Sequence, residues 1–250
     1  MGTTDFPPVI HLETVDSTNT WLLSRQHELP DWTVVHTFNQ TKGRGRRDRV
    51  WSSVPGDSLA LSILVPALPQ GVPATWIPLL TGSVLVEVLR DLGLTAAEAK
   101  WPNDILVGSR KLSGTLVEGA PGGCLVVGVG INLFSPHDRL PDPNATSLAL
   151  EGIEIADVLE SFINPLRDIM CELIDKGLAL QPAQCVSLWS ENVVKTLGTI
   201  GKLVEVVAND GSIRRGTADS LGLAGELAVR DEHGESFLIH AGDVFHVPRS

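Results

Sequence analysis

The sequence predicts an α+β chain: a mixed sheet with helices over residues 1–197, then a small SH3-like β-barrel over residues 198–250. Two observations carry this. Up to residue 197, strand-length apolar runs alternate with helix-length periodic segments. Beyond it, five short strand candidates fall within roughly 50 residues, with turn chemistry between them. A chain of 250 residues is long enough to bury a core of one or two domains. Its 43% hydrophobic and 20% charged content is that of an ordinary globular protein, so no disordered tract has to be set aside.

The elements follow in order. Asp16-Ser17-Thr18-Asn19 precedes Trp21, Leu22 and Leu23, so a capping side chain opens a first helix. Residues 33–38 are short and β-branched, a strand leading into an arginine-rich segment. Residues 59–65 are an apolar run stopped by Pro66, which suits a buried strand. Residues 75–92 read as a long helix closed by Gly93. Residues 105–107 and 112–117 flank Gly108-Ser109-Arg110 as a hairpin. Residues 125–133 form another apolar strand, interrupted by Gly128 and Gly130. Residues 155–176 have a helical pattern that Pro165 kinks or splits, and 182–192 make one more helix. The last strands are expected at 202–208, 212–218, 226–230, 236–240 and 243–247. Asn209-Asp210-Gly211 and Glu232-His233-Gly234 supply turns between them.

Composition removes several function classes. A formal net charge of -11 argues against a general nucleic-acid binder, which carries a basic footprint. The three cysteines, Cys124, Cys171 and Cys185, are odd in number and lack CxxC spacing; they read as free thiols in a reducing, cytoplasmic setting. Residues 1–8 hold no signal-peptide pattern, and no apolar run reaches the ~18–20 residues that span a bilayer. The seven histidines show no HxH or HExxH spacing, so no metal site is expected from them and direct metal ligands stay unassigned.

Four segments could carry chemistry. The first is Ser17-Thr18-Asn19, a helix cap or a cluster of small polar groups for a polar ligand head. The second is Gly43-Arg44-Gly45-Arg46-Arg47-Asp48-Arg49-Val50-Trp51, preceded by Gln40. Four like charges cannot pack together in a core, so this reads as a mobile loop that settles on an anion, arginine being suited to a bidentate grip on phosphate. It also fits a solvated basic loop or an RGG-like nucleic-acid segment. The third is Lys100-Trp101-Pro102-Asn103-Asp104-Ile105, continued by Lys111-Leu112-Ser113-Gly114-Thr115-Leu116-Val117-Glu118. It is a Pro turn with a Trp beneath it, or a lysine held firmly enough to act as a fixed charge. The fourth is Gly128-Val129-Gly130-Ile131-Asn132, whose two glycines share one strand face and leave it bare for a ligand or for close sheet packing. Neither GxGxxG nor a Walker A pattern occurs, which removes the usual dinucleotide and P-loop assignments.

Taken together, these stretches resemble the biotin protein ligase family: STN at 17–19, GRGRRDRVW at 43–51, KWPND at 100–104, KLSGTLVE at 111–118 and GVGIN at 128–132. The similarity is strong from about residue 10 to residue 135 in order and spacing, and the C-terminal barrel fits in position. The resemblance implies a class II synthetase-like catalytic domain over 1–197. It implies ATP-dependent activation of biotin to biotinyl-5′-AMP, then transfer to a lysine of a biotin carboxyl carrier protein. Lys100 and Arg46 would be catalytic. Ser17, Thr18, Asn19, Gln40, Gly43, Arg44, Lys100, Gly114, Gly128 and Gly130 would hold biotin. Arg46, Arg47, Arg49, Trp51, Lys100 and Asn132 would hold the nucleotide, with Mg²⁺ on its phosphates. The arginine loop would open without ligand and order on binding.

One position departs from the family pattern, Asp48 standing where glycine is common, which weakens the inference for Arg47 and Arg49. The stretch before the first matching strand is too short for the DNA-binding module some members carry, so no specific DNA partner and no membrane association are expected. Two alternatives remain: a lipoate or octanoyl ligase or transferase, and a nucleotide- or RNA-binding module built on the arginine loop.

Overall fold

The computed structural model describes residues 6–207 and 211–247. β1 (Ile10–His11) pairs parallel with β2 (Val34–Thr37), and α1 (Thr18–Leu23) lies between them in sequence. β3 (Gly43–Arg44) and β4 (Val50–Trp51) form a separate two-stranded hairpin. β5 (Ser58–Val65), α2 (Trp76–Asp91), β6 (Ala97–Lys100), β7 (Asp104–Val107), β8 (Arg110–Gly119) and β9 (Leu125–Asn132) follow. The strands outside the hairpin join in one mixed sheet of seven, ordered β1-β2-β5-β9-β8-β7-β6.

Alternation along the two central strands decides which face is core and which is site. Leu59, Leu61 and Ile63 of β5 and Val127, Val129 and Ile131 of β9 join the main core with the buried side of α2. On the opposite face, Leu64 and Val126 meet Val35 and Leu22, a small second cluster that seats α1. Next to α1 on that face, β9 offers only Gly128 and Gly130, so no side chain of β9 itself stands on the sheet there.

Two elements differ from expectation. β6 was not foreseen, because Ala-Glu-Ala-Lys has little strand preference; pairing with β7 along its whole length supplies what propensity lacks. The predicted helix 155–176 begins later, with a π-helical turn over Leu159–Ile163 that leads into α3 (Asn164–Leu178). Asp157 caps its start, accepting from the Leu159 and Glu160 amides, and Pro165 sits at the junction, where its missing N–H is tolerated. α4 (Pro182–Thr196) runs one turn beyond residue 192. Among the described residues, no helix is long and apolar enough to cross a membrane.

The C-terminal part is a five-stranded antiparallel sheet: β10 (Leu203–Val207), β11 (Ile213–Leu221), β12 (Leu227–Arg230), β13 (Ser236–Ile239) and β14 (Asp243–His246). Its order, β13-β12-β11-β10-β14, returns the last strand beside the first, as a small barrel of the expected type requires. The predicted end of the first strand at Ala208 and the turn residues Asn209 and Asp210 lie outside the described residues. Two indoles pin this sheet to the larger part: Trp76 Nε1 donates to Leu223 O at 2.9 Å and Trp101 Nε1 to Gly225 O at 2.9 Å. The apolar interiors of the two sheets merge into one contiguous core, which fixes β14 along the edge of the bare sheet face.

Candidate functional site

Strand register builds the floor of a cleft. Ala60 pairs with Gly130, Gly130 with Gly114, Gly114 with Asp104, and Asp104 with Lys100. One row across β5, β9, β8, β7 and β6 thus runs from three residues with almost no side chain to a carboxylate and an ammonium. The cleft above it encloses about 180 Å³ and is walled by α1, the β3–β4 hairpin, the turn after Lys100 and β14.

The bare glycine faces are not empty. A Cβ on Gly128 would collide with the Asn19 carboxamide. A Cβ on Gly130 would stand 2.5 Å from Trp51 Cε2. A Cβ on Gly114 would come within 3.3 Å of Lys111 Nζ. Each glycine therefore admits one side chain of the protein onto the sheet, and those side chains, more than the bare backbone, line the cleft.

The arginine segment is paired as a hairpin over the cleft, and its arginines find partners within the chain. Gly45 N donates to Arg49 O at 2.7 Å, and Arg49 N to Arg46 O at 3.2 Å across the turn. Arg47 and Asp48 both take positive φ, 56° and 59°, as two-residue hairpin turns demand. Asp is among the few non-glycine residues that tolerate this, which accounts for its place in the loop. The like charges are spread over separate partners: Arg44 on Glu118 at 2.6 Å, Arg46 on Asn103 Oδ1 at 2.9 Å, and Arg47 and Arg49 both on Asp243 of β14.

At the α1 end the polar groups are already wired. Ser17 caps α1, its side chain accepting from Thr20 N. Thr18 N donates to Gln40 Oε1 at 2.9 Å. That turns Gln40 Nε2 toward Gly43, where any Cβ would stand 2.7 Å from it. Ser62 Oγ lies 2.8 Å from Thr18 Oγ1 and donates to Asn19 Oδ1 at 2.6 Å. Asn19 Nδ2 donates to Glu118 Oε2 at 2.8 Å and Leu116 O at 3.2 Å.

At the other end two ammonium groups lie near one carboxylate, which pairs with Lys111. Lys111 Nζ pairs with Asp104 Oδ1 at 2.6 Å and lies 5.9 Å from the Trp51 ring. Lys100 Nζ stands 5.6 Å from the Phe245 ring. Burial pushes the Lys100 ammonium below the usual lysine range; Asp104 opposes the shift, while Lys111 adds to it. Burial likewise lowers the Arg46 pKa, against Asp104 and Asp243, though a guanidinium stays charged. A partly desolvated cluster of fixed positive groups beside a floor formed by the Trp51 ring and the Asn19 amide is suited to an anion with a flat or slender organic body.

Of the sequence-predicted site residues, Ser17, Thr18, Asn19, Gln40, Arg44, Arg46, Arg49, Trp51, Lys100, Gly114, Gly128 and Gly130 line the cleft. Three do not. Gly43 is buried within the hairpin, Arg47 reaches Asp243 from outside, and Asn132 is buried on Thr146 O at 2.9 Å and Ser58 Oγ at 3.3 Å. Asn132 thus has its amide committed to the fold. Residues not singled out as site members include Ser62, Asn103, Asp104, Lys111, Glu118, Asp243 and Phe245. Four of these sit inside the quoted segments. Ser62 is visible as a polar residue in an apolar strand. Asp243 and Phe245 had no sequence signal, because only the packing of the second sheet brings β14 to the cleft.

Residues 11–132 match the biotin/lipoate A/B protein ligase family. The chain is 32% identical over 237 residues to the biotin--[acetyl-CoA-carboxylase] ligase of Mycobacterium tuberculosis, covering 92% of this chain and 86% of that protein. It is 42% identical over 138 residues to the bifunctional ligase/repressor BirA of Escherichia coli, covering 53% of this chain and 43% of that protein. The match thus spans about two fifths of the length of BirA. Among solved structures, the biotin protein ligase from Aquifex aeolicus in complex with biotin and ATP superposes with a TM-score of 0.79 at 24% identity, over 97% of this chain and 100% of that one.

Proposed function

The chain belongs to the biotin/lipoate A/B protein ligase family, and from that premise we propose that it activates biotin with ATP and transfers it to a lysine of a carboxylase carrier protein. In the first step a biotin carboxylate oxygen attacks the α-phosphorus and pyrophosphate leaves, giving biotinyl-5′-AMP. In the second, the carrier amine attacks the acyl carbon and AMP leaves with the bond electrons. The observation that carries this is the register row ending in Asp104 and Lys100 beneath the arginine hairpin. An anion attacking an anion needs positive charge already in place, and Lys100 with Arg46 supply it without reorganisation.

The remaining roles follow from position. Ser17, Thr18, Asn19 and Gln40 face the ureido head, whose polar atoms need partners when buried. Gly114, Gly128 and Gly130 let Lys111, Asn19 and Trp51 lie down on the sheet, and those side chains form the floor for the ring and tail. Arg44 and Arg46 close the hairpin over the acyl-adenylate, with Arg49 and Trp51 on the nucleotide side. Mg²⁺ is part of the proposal. Among the described residues no cluster of three metal-ligating side chains occurs, so the ion would come with the phosphates, Asp104 and Asp243 being the carboxylates in the cleft. It would neutralise phosphate charge. The division at residues 197 and 198, the absence of a specific DNA partner, and a cytoplasmic setting supported by three free thiols belong to the same proposal.

Incubation with ATP, a carrier domain and either biotin or lipoate, followed by carrier mass, tests this. One biotin added and no lipoate is the expected result. Lipoate addition alone would move the chain to the other branch of its family. Ligand binding that needs RNA and ignores biotin would favour the nucleic-acid reading.

A further inference from the structure

Glu118 is absent from every role above, yet both walls of the cleft meet on it. Its Oε2 accepts from Arg44 Nη2 at 2.6 Å and from Asn19 Nδ2 at 2.8 Å. Arg44 belongs to the hairpin that covers the cleft, and Asn19 to the helix at its head. A carboxylate only accepts, so it dictates which way its neighbours point. Leu116 O makes the same demand on Asn19 at 3.2 Å. Two acceptors on one side fix the Asn19 amide with Nδ2 toward β8 and Oδ1 toward Ser62.

The orientation is passed on. With Oδ1 facing it at 2.6 Å, the single Ser62 hydroxyl proton goes to Asn19. Ser62 Oγ is then an acceptor toward Thr18 Oγ1, 2.8 Å away. Thr18 thereby spends its own proton on Ser62 and offers its oxygen lone pairs to the cleft. In the opposite sense, Ser62 would donate to Thr18, which would donate on toward Gln40 Oε1 at 3.3 Å. Ser62 is fully buried and Asn19 nearly so, so water does not randomise the sense of the chain.

Resting on the reading of the cleft as a biotin site, we infer that Glu118 is a positioning residue. Through Asn19 and Ser62 it sets Thr18 as an acceptor for the N–H of a cyclic urea, and through Arg44 it ties that recognition to the covering hairpin. The head pocket and the lid share one carboxylate, so loss of its charge affects both.

The test is titration calorimetry with biotin on the full chain, comparing wild type, Glu118→Gln, Glu118→Ala and Ser62→Ala, each checked for an unchanged circular dichroism spectrum. Both Glu118 variants are expected to weaken biotin tenfold or more. Ser62→Ala leaves the Arg44 pair in place but breaks the relay, and is expected to weaken biotin to a similar extent. Wild-type affinity in Ser62→Ala would overturn the relay. Wild-type affinity in both Glu118 variants, even with a lower melting temperature, would reduce Glu118 to a structural residue and overturn the inference. Should wild type itself fail to bind biotin, the reading of the site falls and this inference with it, a result distinct from a failure confined to the variants.

Discussion

Gly130→Ala puts the construction of the cleft to a direct physical test. The added Cβ would lie 2.5, 2.8 and 2.9 Å from Trp51 Cε2, Cζ2 and Cδ2, where ordinary contact begins at 3.4 Å. The ring or the sheet must give by about 1 Å, and overpacking of this kind costs about 1–3 kcal/mol. Gly130 sits on β9, held on both sides by β5 and β8 through full-length ladders. Trp51 sits on β4, which is tied to β3 by only two paired positions. The compliant partner is therefore the hairpin, and the cost falls on the equilibrium between its docked and undocked states.

Trypsin reads that equilibrium, because Arg44, Arg46, Arg47 and Arg49 are its sites and all lie in the hairpin. With reclosing fast relative to cleavage, a cost of 1–3 kcal/mol raises the open population and the cutting rate roughly 5- to 150-fold. The urea midpoint of the whole protein should move much less than this cost would imply for a global effect, since the sheet is untouched. Unchanged cleavage together with unchanged stability would show that Trp51 does not rest on Gly130. A large loss of global stability with unchanged cleavage would show that the hairpin is not the part that yields.

Other expectations are briefer. Lys100→Ala should abolish pyrophosphate release with ATP and biotin while the thermal transition is retained; release at the wild-type rate would remove Lys100 from the chemistry. Asp243→Asn weakens the two arginine pairs at the hairpin tip, so tryptic cutting should rise with little change in the denaturation midpoint. Arg46→Gly should speed dissociation of the acyl-adenylate more than it lowers stability, read by the off-rate and the urea midpoint together. The pH profile has a defined sign. Burial pushes His246 down to about 4, with Lys202 and Lys100 adding to it, and pushes His36 down to about 4, with His11 adding. Between pH 6.5 and 4 the unfolded chain holds more protons than the native one, so stability rises with pH there. The contribution is complete above 6.5 and is lost as pH falls toward 4. His246→Gln should flatten the slope of the urea midpoint against pH in that window; an identical slope would refute the burial argument.

What could be read from the chain, and what could not, divides along a physical line. Local signals served well where a single segment decides its own state. Ser17 caps α1, Gly93 follows α2 at φ 97°, and the Gly108 turn joins β7 to β8. Periodicity placed Leu59 through Val65 as a buried strand, and Gly128 with Gly130 on one face. β6 was invisible because its residues have no preference for extended backbone until β7 is beside them. The same limit applied to the site. Lys100, Asp104, Gly114 and Gly130 are scattered over some thirty residues of sequence and become one row only through the register of four strands.

The arginine segment shows the limit most plainly. Its charge and glycines argued for mobility, on the premise that four guanidinium groups repel one another and cannot pack together in a core. The intramolecular partners could not be read locally because they are distant: Asn103 follows the Lys100 turn, Glu118 lies far along β8, and Asp243 belongs to a sheet that begins more than 150 residues after the loop. Composition did hold the answer in a coarse form. A chain of net charge -11 has carboxylates to spare, so a basic loop docking on its own acidic groups was the electrostatically cheaper outcome. Asp48 belongs to the same solution. It offsets charge at the tip and tolerates the positive φ of the turn, so replacing it with glycine would favour the turn while giving up a negative charge among four positive ones. The hairpin is thus a folded element: Arg44, Arg47 and Arg49 rest on carboxylates of the chain and Arg46 on the Asn103 carboxamide, so its docking equilibrium is set by contacts to β8, to the turn after Lys100 and to β14 together.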